Sequence, residues 1–431
     1  MRGAWWSIVI FLCVTGHTEI SAAAMLDPEL AHRVDATVSE WLASSEAPSA
    51  SIAIVRGGAL VYAKAYGLAR LEPRAIATTA TGYAVDSLTK EFTAAAILML
   101  AEQGKLSLDD PLATWFPDLG AAARVTLRQL LTHTSGIRDY WPQDFVTPEM
   151  TRATTPAALI EEWARRPLDF EPGTEWQYSN TNYVLAAEVV ERASGEAFFG
   201  FLQRSLFAPL GMSQVIDLTT SSPRDIAGYT RHGLGPVRAA PKEAAGWLFG
   251  AASLAMQPTD LALWDVSLID RSLLRARSYE AALTPVALKS GATAPYGFGF
   301  DIEDIQGRRR IGHSGGGSGF LADNRVWPAE RSAIVVLTNN DWASPSELSN
   351  RLAFLLLTPS PAEARARAVF AALQSGSLDR SWFTATGNFH LDDAALAELR
   401  GSLGKLGPAR NIELEQESMR GGMLTRRWKI L

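Results

Sequence analysis

The sequence predicts an α+β protein: an antiparallel sheet flanked by terminal helices, with an inserted, mostly helical subdomain and a small C-terminal α+β extension. Two strand-like segments lie early in the chain and four more lie late in it. Between them, about 104–295 has a mostly helical pattern that Pro and Gly interrupt. Because early and late strands can pair in one sheet, we predict a main domain over 25–360 and an extension over 361–431.

The first half of the chain begins with apolar residues at helical spacing over 28–46. Two short apolar segments, 51–55 and 60–68, follow on either side of Arg56-Gly57-Gly58, which is typical of a β-hairpin. An alanine- and leucine-rich segment from Ser87 to about Gly104 predicts a buried helix. The helices predicted for the inserted subdomain are 127–131, 156–166, 182–194, 197–206 and 260–268.

The second half returns to strand patterns and then changes character. The predicted strands are 296–302, 308–312, 319–327 and 332–338, and a helix over 346–357 closes the main domain. The extension is predicted to hold two charged helices, 362–374 and 392–402, and two strands, 411–416 and 423–430. This order places Ser87 near the boundary between the sheet and the inserted subdomain, where pockets commonly form.

The first 24 residues have the pattern of a secretory signal peptide. Arg2 precedes an apolar run from Ala4 to Val14, and small residues at 22–24 form a cleavage site. The run of 11 residues is shorter than the ~20 that a membrane-spanning helix needs. We therefore expect an exported protein, periplasmic or extracellular, that is not attached to a membrane after cleavage.

Composition excludes several functional classes. The only cysteine, Cys13, lies in the predicted signal peptide, so disulfides, thiol catalysis and thiolate metal sites are not expected. The net charge of −6 is mild and no Lys/Arg block occurs, which argues against nucleic acid as a partner. The six histidines are scattered and no H-E-x-x-H motif occurs, so we predict no metal and no cofactor. Nothing indicates a partner protein.

Ser87 and Lys90 are the first candidate catalytic residues. In a helix that starts at Ser87 they share one turn, so the hydroxyl can meet the amine. A lysine desolvated by apolar neighbours can help to activate a serine, and free N–H groups at a helix start suit a developing oxyanion. The alternative is a helix-capping serine with an exposed lysine, and the same spacing recurs at Ser402 and Lys405.

Three other segments carry polar side chains in turn-rich surroundings. Tyr178 and Asn180 can both point into a cleft, or they can be a half-buried tyrosine and a capping asparagine. His133 can be catalytic, although a histidine that bonds backbone in a tight turn fits the pattern better. His313 precedes Ser-Gly-Gly-Gly, which can bind substrate along a strand edge or form a flexible glycine hairpin.

Two further motifs suggest rival chemistries. Residues 312–316 match the G-x-S-x-G elbow, and Asp323 or Asp341 with His390 would complete the order of a hydrolase triad. That elbow must open a helix, whereas a strand pattern follows here. Residues 289–291 (Lys-Ser-Gly) match the third motif of many penicillin-recognising enzymes, but they do not lie on a predicted strand.

Taken together, the segments resemble the serine β-lactamase-related family, which comprises class C β-lactamases, D-alanyl-D-alanine carboxypeptidases, D-aminopeptidases and esterases. The resemblance covers roughly 28–358, and five motifs occur in the order of the family. They are Ser87-Leu88-Thr89-Lys90-Glu91-Phe92-Thr93, Leu130–Ile137, Phe170-Glu171-Pro172-Gly173-Thr174 with Tyr178-Ser179-Asn180, Pro209-Leu210-Gly211-Met212, and His313-Ser314-Gly315-Gly316. The resemblance implies a β-lactamase/transpeptidase-like fold.

The resemblance also implies a role for each matched residue. Ser87 would be the acylated nucleophile, Lys90 and Tyr178 would share its proton, and Tyr178 would pass it to the leaving group. Asn180 would orient Lys90 and the substrate. A phenol beside an ammonium is pushed toward phenolate, which fits this scheme, and either Lys90 or Tyr178 can be the base in acylation.

The same resemblance implies that His313, Gly315 and Gly316 bind the substrate, with the N–H groups of Ser87 and Gly316 forming the oxyanion hole. Class C β-lactamases carry Lys where this chain has His313. A mostly neutral imidazole attracts a substrate carboxylate less than an ammonium does, which argues against a dedicated β-lactamase.

These observations lead to two hypotheses. The first is an exported, metal-free serine hydrolase that acts through an acyl-Ser87 intermediate on a small-molecule ester or on a D-amino-acid amide or peptide. The alternative is a non-catalytic binding or scaffold protein that keeps the fold. The presence of Ser87, Lys90 and Tyr178 together favours the first hypothesis.

Overall fold

The structure is a computed structural model that describes residues 25–143, 145–221, 225–305, 308–359, 361–409, 412–420 and 423–430. The predicted signal peptide, 1–24, lies outside the described residues. Within the described ranges, the helices are either too short or too polar to cross a bilayer.

The helices and strands are as follows. The helices are α1 Pro28–Ser45, α2 Thr89–Glu102, α3 Leu127–Leu131, α4 Pro156–Leu159, α5 Asn180–Ser194, α6 Phe198–Leu202, α7 Ala208–Leu210, α8 Pro258–Asp270, α9 Ala276–Ala282, α10 Pro345–Leu356, α11 Pro361–Ser375, α12 Ala385–His390 and α13 Asp393–Leu403. The strands are β1 Ser49–Arg56, β2 Ala59–Arg70, β3 Ala75–Ile76, β4 Tyr83–Ala84, β5 Ile216–Asp217, β6 Tyr229–Thr230, β7 Arg238–Ala239, β8 Leu254–Met256, β9 Val286–Ala287, β10 Thr293–Ala294, β11 Asp301–Ile305, β12 Arg308–Gly317, β13 Phe320–Trp327, β14 Ser332–Thr338, β15 Ile412–Arg420 and β16 Met423–Ile430.

The central sheet has seven antiparallel strands in the order β11-β12-β13-β14-β1-β2-β3. Strands β1 and β2 form the predicted hairpin, and Gly57 and Gly58 adopt the positive φ angles that its tight turn requires. Strand β14 pairs with β1, with Ala50 opposite Thr338. The prediction that early and late strands form one antiparallel sheet is therefore confirmed.

One face of the sheet is covered by the two terminal helices. In α1, Val34, Val38 and Trp41 recur at helical spacing and are buried against the sheet together with Leu348 and Leu352 of α10. The side chain of Asp27 caps the start of α1. This layer holds the first and last helices of the main domain, as predicted.

The other face carries α8, which packs across β1, β2 and β14. Residues Thr89 to Leu100 of α2 are all buried, and the helix packs on α5 and α6 of the inserted segment. Phe92 contacts Phe207, which follows α6, and Trp264 of α8, the helix that packs on the sheet. Helix α2 therefore lies at the predicted boundary.

The inserted segment differs from the predicted mostly helical 104–295 in two respects. Helices α4 and α6 are short and continue as π-helical turns over 160–164 and 203–207. The described residues 211–221 and 225–253 hold only short strands within irregular backbone. Helix α8 packs on the sheet instead of joining the inserted helices. The inserted segment is therefore not built from helices alone. The division of the chain into 25–360 and 361–431 stays a prediction.

The late strands also differ in their bounds. Tyr296 to Phe300 is not a strand, because the N–H of Gly297 donates to the carbonyl of Phe300 and Gly299 has a positive φ of 80°, so the backbone folds back on itself here. Strand β12 continues through Gly317, five residues beyond its predicted end. In the extension, the predicted helices and strands are present, and a further short helix, α12, precedes α13.

Candidate active site

Ser87 lies in a 3-10 turn over Asp86–Leu88 that leads directly into α2. The prediction placed Ser87 in the helix itself, and the structure places it just before the first helical residue, Thr89. Asp86 has a positive φ of 46°, which a non-glycine residue rarely adopts. This sharp turn leaves Ser87 partly exposed at the end of an otherwise buried segment.

Lys90 is fully buried and its amine is held by three acceptors. The Nζ atom donates to Ser87 Oγ at 3.0 Å, to Asn180 Oδ1 at 2.8 Å and to the carbonyl of Ala251 at 2.9 Å. The alternative of an exposed lysine is therefore wrong. The second S-x-x-K motif is not a site, because Ser402 is exposed and donates to the carbonyl of Glu398 within its own helix.

Tyr178 completes a three-residue contact around Ser87. Its Oη donates to Ser87 Oγ at 3.0 Å, and Lys90 Nζ lies 4.9 Å from the centre of its ring. Burial raises the pKa of Tyr178 well above its ordinary value, and the hydrogen bond with Ser87 only partly opposes this. The expected push toward phenolate therefore does not dominate, and Tyr178 is a neutral phenol in this structure.

Asn180 is the first residue of α5, and a buried carboxylate holds it in place. Asp139 accepts hydrogen bonds from the backbone N–H of Asn180 at 3.0 Å, from its Nδ2 at 3.2 Å and from the N–H of Trp141 at 3.0 Å. Burial raises the pKa of Asp139, while these donors and Lys90 oppose that shift. Sequence analysis missed Asp139, since no spacing rule connects it with Asn180.

His133 is buried behind Tyr178 and does not reach the nucleophile. Its ring centre lies 4.3 Å from that of Tyr178, and its Nδ1 accepts the backbone N–H of Ser179 at 3.2 Å. Burial lowers the pKa of His133 well below its ordinary value, so the ring is neutral. The prediction of a histidine that bonds backbone in a turn is confirmed, and the ring also supports Tyr178.

The edge of β12 opens beside Ser87. Strand β11 begins at Asp301, which lies opposite Gly312, so the residues 313–317 of β12 extend past the pairing with β11. Over these five residues β13 pairs with one edge of β12, and no described strand pairs with the other. An open strand edge offers backbone N–H and C=O groups to a ligand. The segment is a strand, so neither a flexible hairpin nor a helix-opening elbow occurs here.

Glycines allow this strand to approach the turn that carries the nucleophile. A Cβ atom at Gly315 would lie 2.1 Å from the carbonyl oxygen of Val85, and one at Gly317 would lie 2.5 Å from Asp86 Oδ1. Any larger residue would push the strand away from Ser87. The glycine run is therefore needed to bring the strand edge within reach of the nucleophile.

His313 lies beside this edge and is buried. Its Nε2 is 2.9 Å from Tyr296 Oη. Burial lowers the pKa of His313, and the charge of Asp301 only partly opposes this, so the imidazole is neutral as expected.

These residues border a cleft of about 550 Å³. Of the predicted site residues, its lining includes Ser87, Tyr178, His313, Gly315 and Gly316, while Lys90 and Asn180 lie buried behind the nucleophile. The cleft residues that sequence analysis did not single out as part of this site include Trp176, Asp301, Asp341 and Trp342. A hydroxyl contacted by an amine and a phenol, with an open strand edge beside it, is suited to acyl transfer.

The rival motifs and metal sites receive no support. Lys289 does not line the cleft, and its amine is 3.9 Å from Glu171 on the protein surface. Among the described residues, no group of three or more His, Cys, Asp or Glu side chains could hold a metal ion.

The fold and this site define a class of protein. The family model described as Beta-lactamase matches residues 34–357, and the chain therefore belongs to the β-lactamase family of serine hydrolases. An octameric penicillin-binding protein homologue from Pyrococcus abyssi has a similar structure, with a TM-score of 0.67 and 26% identity, over 80% of this chain and 81% of that one.

Two curated relatives show the range of the family. A penicillin-binding protein from Bacillus subtilis (strain 168) is 29% identical over 321 residues, which are 71% of this chain and 71% of the relative. A D-aminopeptidase from Brucella ovis is 29% identical over 328 residues, which are 74% of this chain but only 62% of the relative. The activities given in these names are those of the two relatives.

Proposed function

We propose that this protein is an exported hydrolase that cleaves a D-amino-acid amide or peptide, or a small ester, through an acyl-Ser87 intermediate. The observation that carries the proposal is the convergence of Lys90 Nζ and Tyr178 Oη on Ser87 Oγ, each at 3.0 Å. The D-aminopeptidase relative supports the choice of substrate, and the signal-peptide pattern of 1–24 supports export.

The proposed reaction has two proton transfers. Lys90, in its amine form, accepts the proton of Ser87 while Oγ attacks the substrate carbonyl. Tyr178, whose raised pKa keeps its phenol protonated, donates to the departing amine or alkoxide and regains a proton from Lys90. The contact between Asn180 and Lys90 orients the amine. The N–H groups of Ser87 and Gly316 would stabilise the oxyanion.

Water then hydrolyses the acyl-enzyme, and the same groups transfer the protons in the reverse order. The neutral His313 supplies no cation for a substrate carboxylate, which favours amides and esters over β-lactams. No observation favours the non-catalytic binding or scaffold protein, which would have no need for Lys90 buried against Ser87.

The test is intact-protein mass spectrometry of residues 25–431 after exposure to p-nitrophenyl acetate or to a penicillin, beside Ser87→Ala. We expect an acyl adduct or product release in the wild type and neither in the variant. Ser87→Ala leaves Lys90 with its contacts to Asn180 and Ala251, so the fold should persist and circular dichroism can verify it. Turnover in folded Ser87→Ala would contradict the proposal.

A further inference from the structure

The charges that line the cleft are of one sign. Asp301 and Asp341 are part of its lining, and no described lining residue is a lysine or an arginine. Lys90 is fully buried behind Ser87 and already donates to three acceptors. A ligand in the cleft therefore meets carboxylates rather than cations.

Asp301 owes its position to the register of three strands. It lies opposite Gly312 on β12, and Gly312 lies opposite Arg325 on β13. Because Gly312 has no side chain, Arg325 reaches across it and comes within 3.6 Å of Asp301. The same row thus places a carboxylate opposite the residue that precedes His313, and Asp301 and His313 border the same cleft.

Arg325 does not cancel the charge of Asp301. Its guanidinium is closer to Asp323, at 2.9 Å, so one cation is shared between two carboxylates. Only 9% of the Arg325 side chain is exposed, compared with 34% of Asp301. A ligand in the cleft can therefore contact the aspartate while the arginine stays beneath it.

An aromatic wall accompanies this carboxylate. Trp176, which also lines the cleft, is 39% exposed, and its ring lies against Tyr296, the partner of His313. A carboxylate together with an exposed indole face is a suitable environment for an ammonium group.

We propose that Asp301, supported by Trp176, selects substrates that carry an ammonium group and disfavours substrates that carry a carboxylate at this position. This inference rests on the proposed function, because it concerns the substrate that Ser87 attacks. It assigns Asp301 as a specificity-determining residue that takes no part in the proton transfers.

The test uses two p-nitrophenyl esters of the same shape, 4-(trimethylammonio)butanoate and its neutral isostere 5,5-dimethylhexanoate. The quantity measured is the ratio of their kcat/KM values, cationic over neutral. We expect a ratio of at least about ten in the wild type, equivalent to about 1.4 kcal/mol, and a fall toward one in Asp301→Asn. Asp118→Asn removes the same charge at an exposed position outside the cleft and should keep the wild-type ratio.

A second measurement does not depend on the stability of the variant. Added salt screens charges, so the wild-type ratio should fall as the ionic strength rises from 0.01 M to 0.5 M, concentrations that shorten the Debye length from about 30 Å to below 10 Å. If neither Asp301→Asn nor salt changes the ratio, while the neutral ester is still hydrolysed in a Ser87-dependent way, this inference is overturned and the proposed function stands. Absence of Ser87-dependent hydrolysis of both esters overturns the proposed function and the inference with it.

Discussion

Lys90 and Glu91 are neighbours at the start of α2, and both are fully buried, yet they lie in two different environments. Lys90 points toward the cleft, where Ser87 and Asn180 accept its hydrogen bonds. Glu91 points into the core, where the indole of Trp264 donates to its carboxyl group.

The surroundings of Glu91 contain a second buried acid, Asp265, whose Oδ1 accepts a hydrogen bond from Asn324 Nδ2 at 2.8 Å. Burial raises the pKa of Glu91 well above its ordinary value and that of Asp265 to about 8. Burial therefore favours the protonated form of both acids, in contrast to the polar cluster around Lys90, which borders a cleft open to solvent.

The comparison teaches that burial of an ionisable group does not by itself identify a functional residue. Both groups are removed from water, but only the amine of Lys90 contacts a partly exposed hydroxyl. The acid cluster under α2 lies outside the cleft, and we interpret it as structural.

The largest expected difference in kcat/KM is the one between matched substitutions of Lys90 and Glu91. Lys90→Met removes the amine and should lower kcat/KM toward p-nitrophenyl acetate by roughly 10⁴, the upper end for a lost acid–base group. Glu91→Gln keeps an acceptor for Trp264 and should change kcat/KM by less than about threefold, because Glu91 contacts Trp264 and not Ser87, and burial favours its uncharged form. Equal losses in both variants would contradict the division into a catalytic and a structural cluster.

Tyr178→Phe tests the proton donor on the catalytic side. The phenol contacts Ser87 and is replaced by a ring of the same shape, so we expect a loss of about 10²–10⁴ in kcat/KM for amide substrates. The loss should be smaller for p-nitrophenyl esters, whose leaving group needs little protonation. Steady-state kinetics with an amide and an ester of the same acyl group measures this difference, and unchanged amide hydrolysis would exclude Tyr178 from the mechanism.

Asp139→Asn tests the support of the catalytic cluster. The substitution replaces one of the two carboxylate oxygens by an NH₂ group. Both oxygens now accept hydrogen bonds, from the backbone N–H groups of Asn180 and Trp141 and from Asn180 Nδ2, so the new NH₂ group would face a donor and Asn180 should lose its fixed orientation. We expect kcat to fall by roughly tenfold to a hundredfold, with KM nearly unchanged, since Asp139 positions Lys90 through Asn180 and does not line the cleft. A rise in KM without a change in kcat would show a different role.

The smallest expected effect is on stability. The pKa of Asp265 is about 8 when folded and near 3.8 when unfolded, so the unfolded state releases a proton that the folded state keeps. The free energy of unfolding should therefore decline as the pH rises from about 4 to 8. Asp265→Asn removes this dependence and should raise the melting temperature at pH 8 by a few degrees, with a smaller gain at pH 5. Thermal scans at both pH values would detect it, and an equal shift at both would exclude the titration of Asp265 as its cause.

Much of the fold could be predicted because it depends on patterns within short segments. Alternating and helical periodicity located the hairpin of β1 and β2 and helices α1, α3 and α10 to within a few residues. The prediction was poorer over 211–221 and 225–253, where the backbone is irregular. It also missed the continuation of β12 through its glycine run, because glycine has no intrinsic strand preference and this strand forms through its pairing with β13.

The sequence by itself determined the groups that lie close along the chain. Ser87 and Lys90 meet because they are three positions apart where the 3-10 turn leads into α2, and Gly315 leaves space because it has no side chain. Tertiary structure alone decided that the phenol of Tyr178 and the carbonyl of Ala251 converge on this turn. The register of separate strands likewise placed Asp301 opposite Gly312, at the border of the cleft. Local spacing cannot set such distances, because they depend on how distant segments pack against one another.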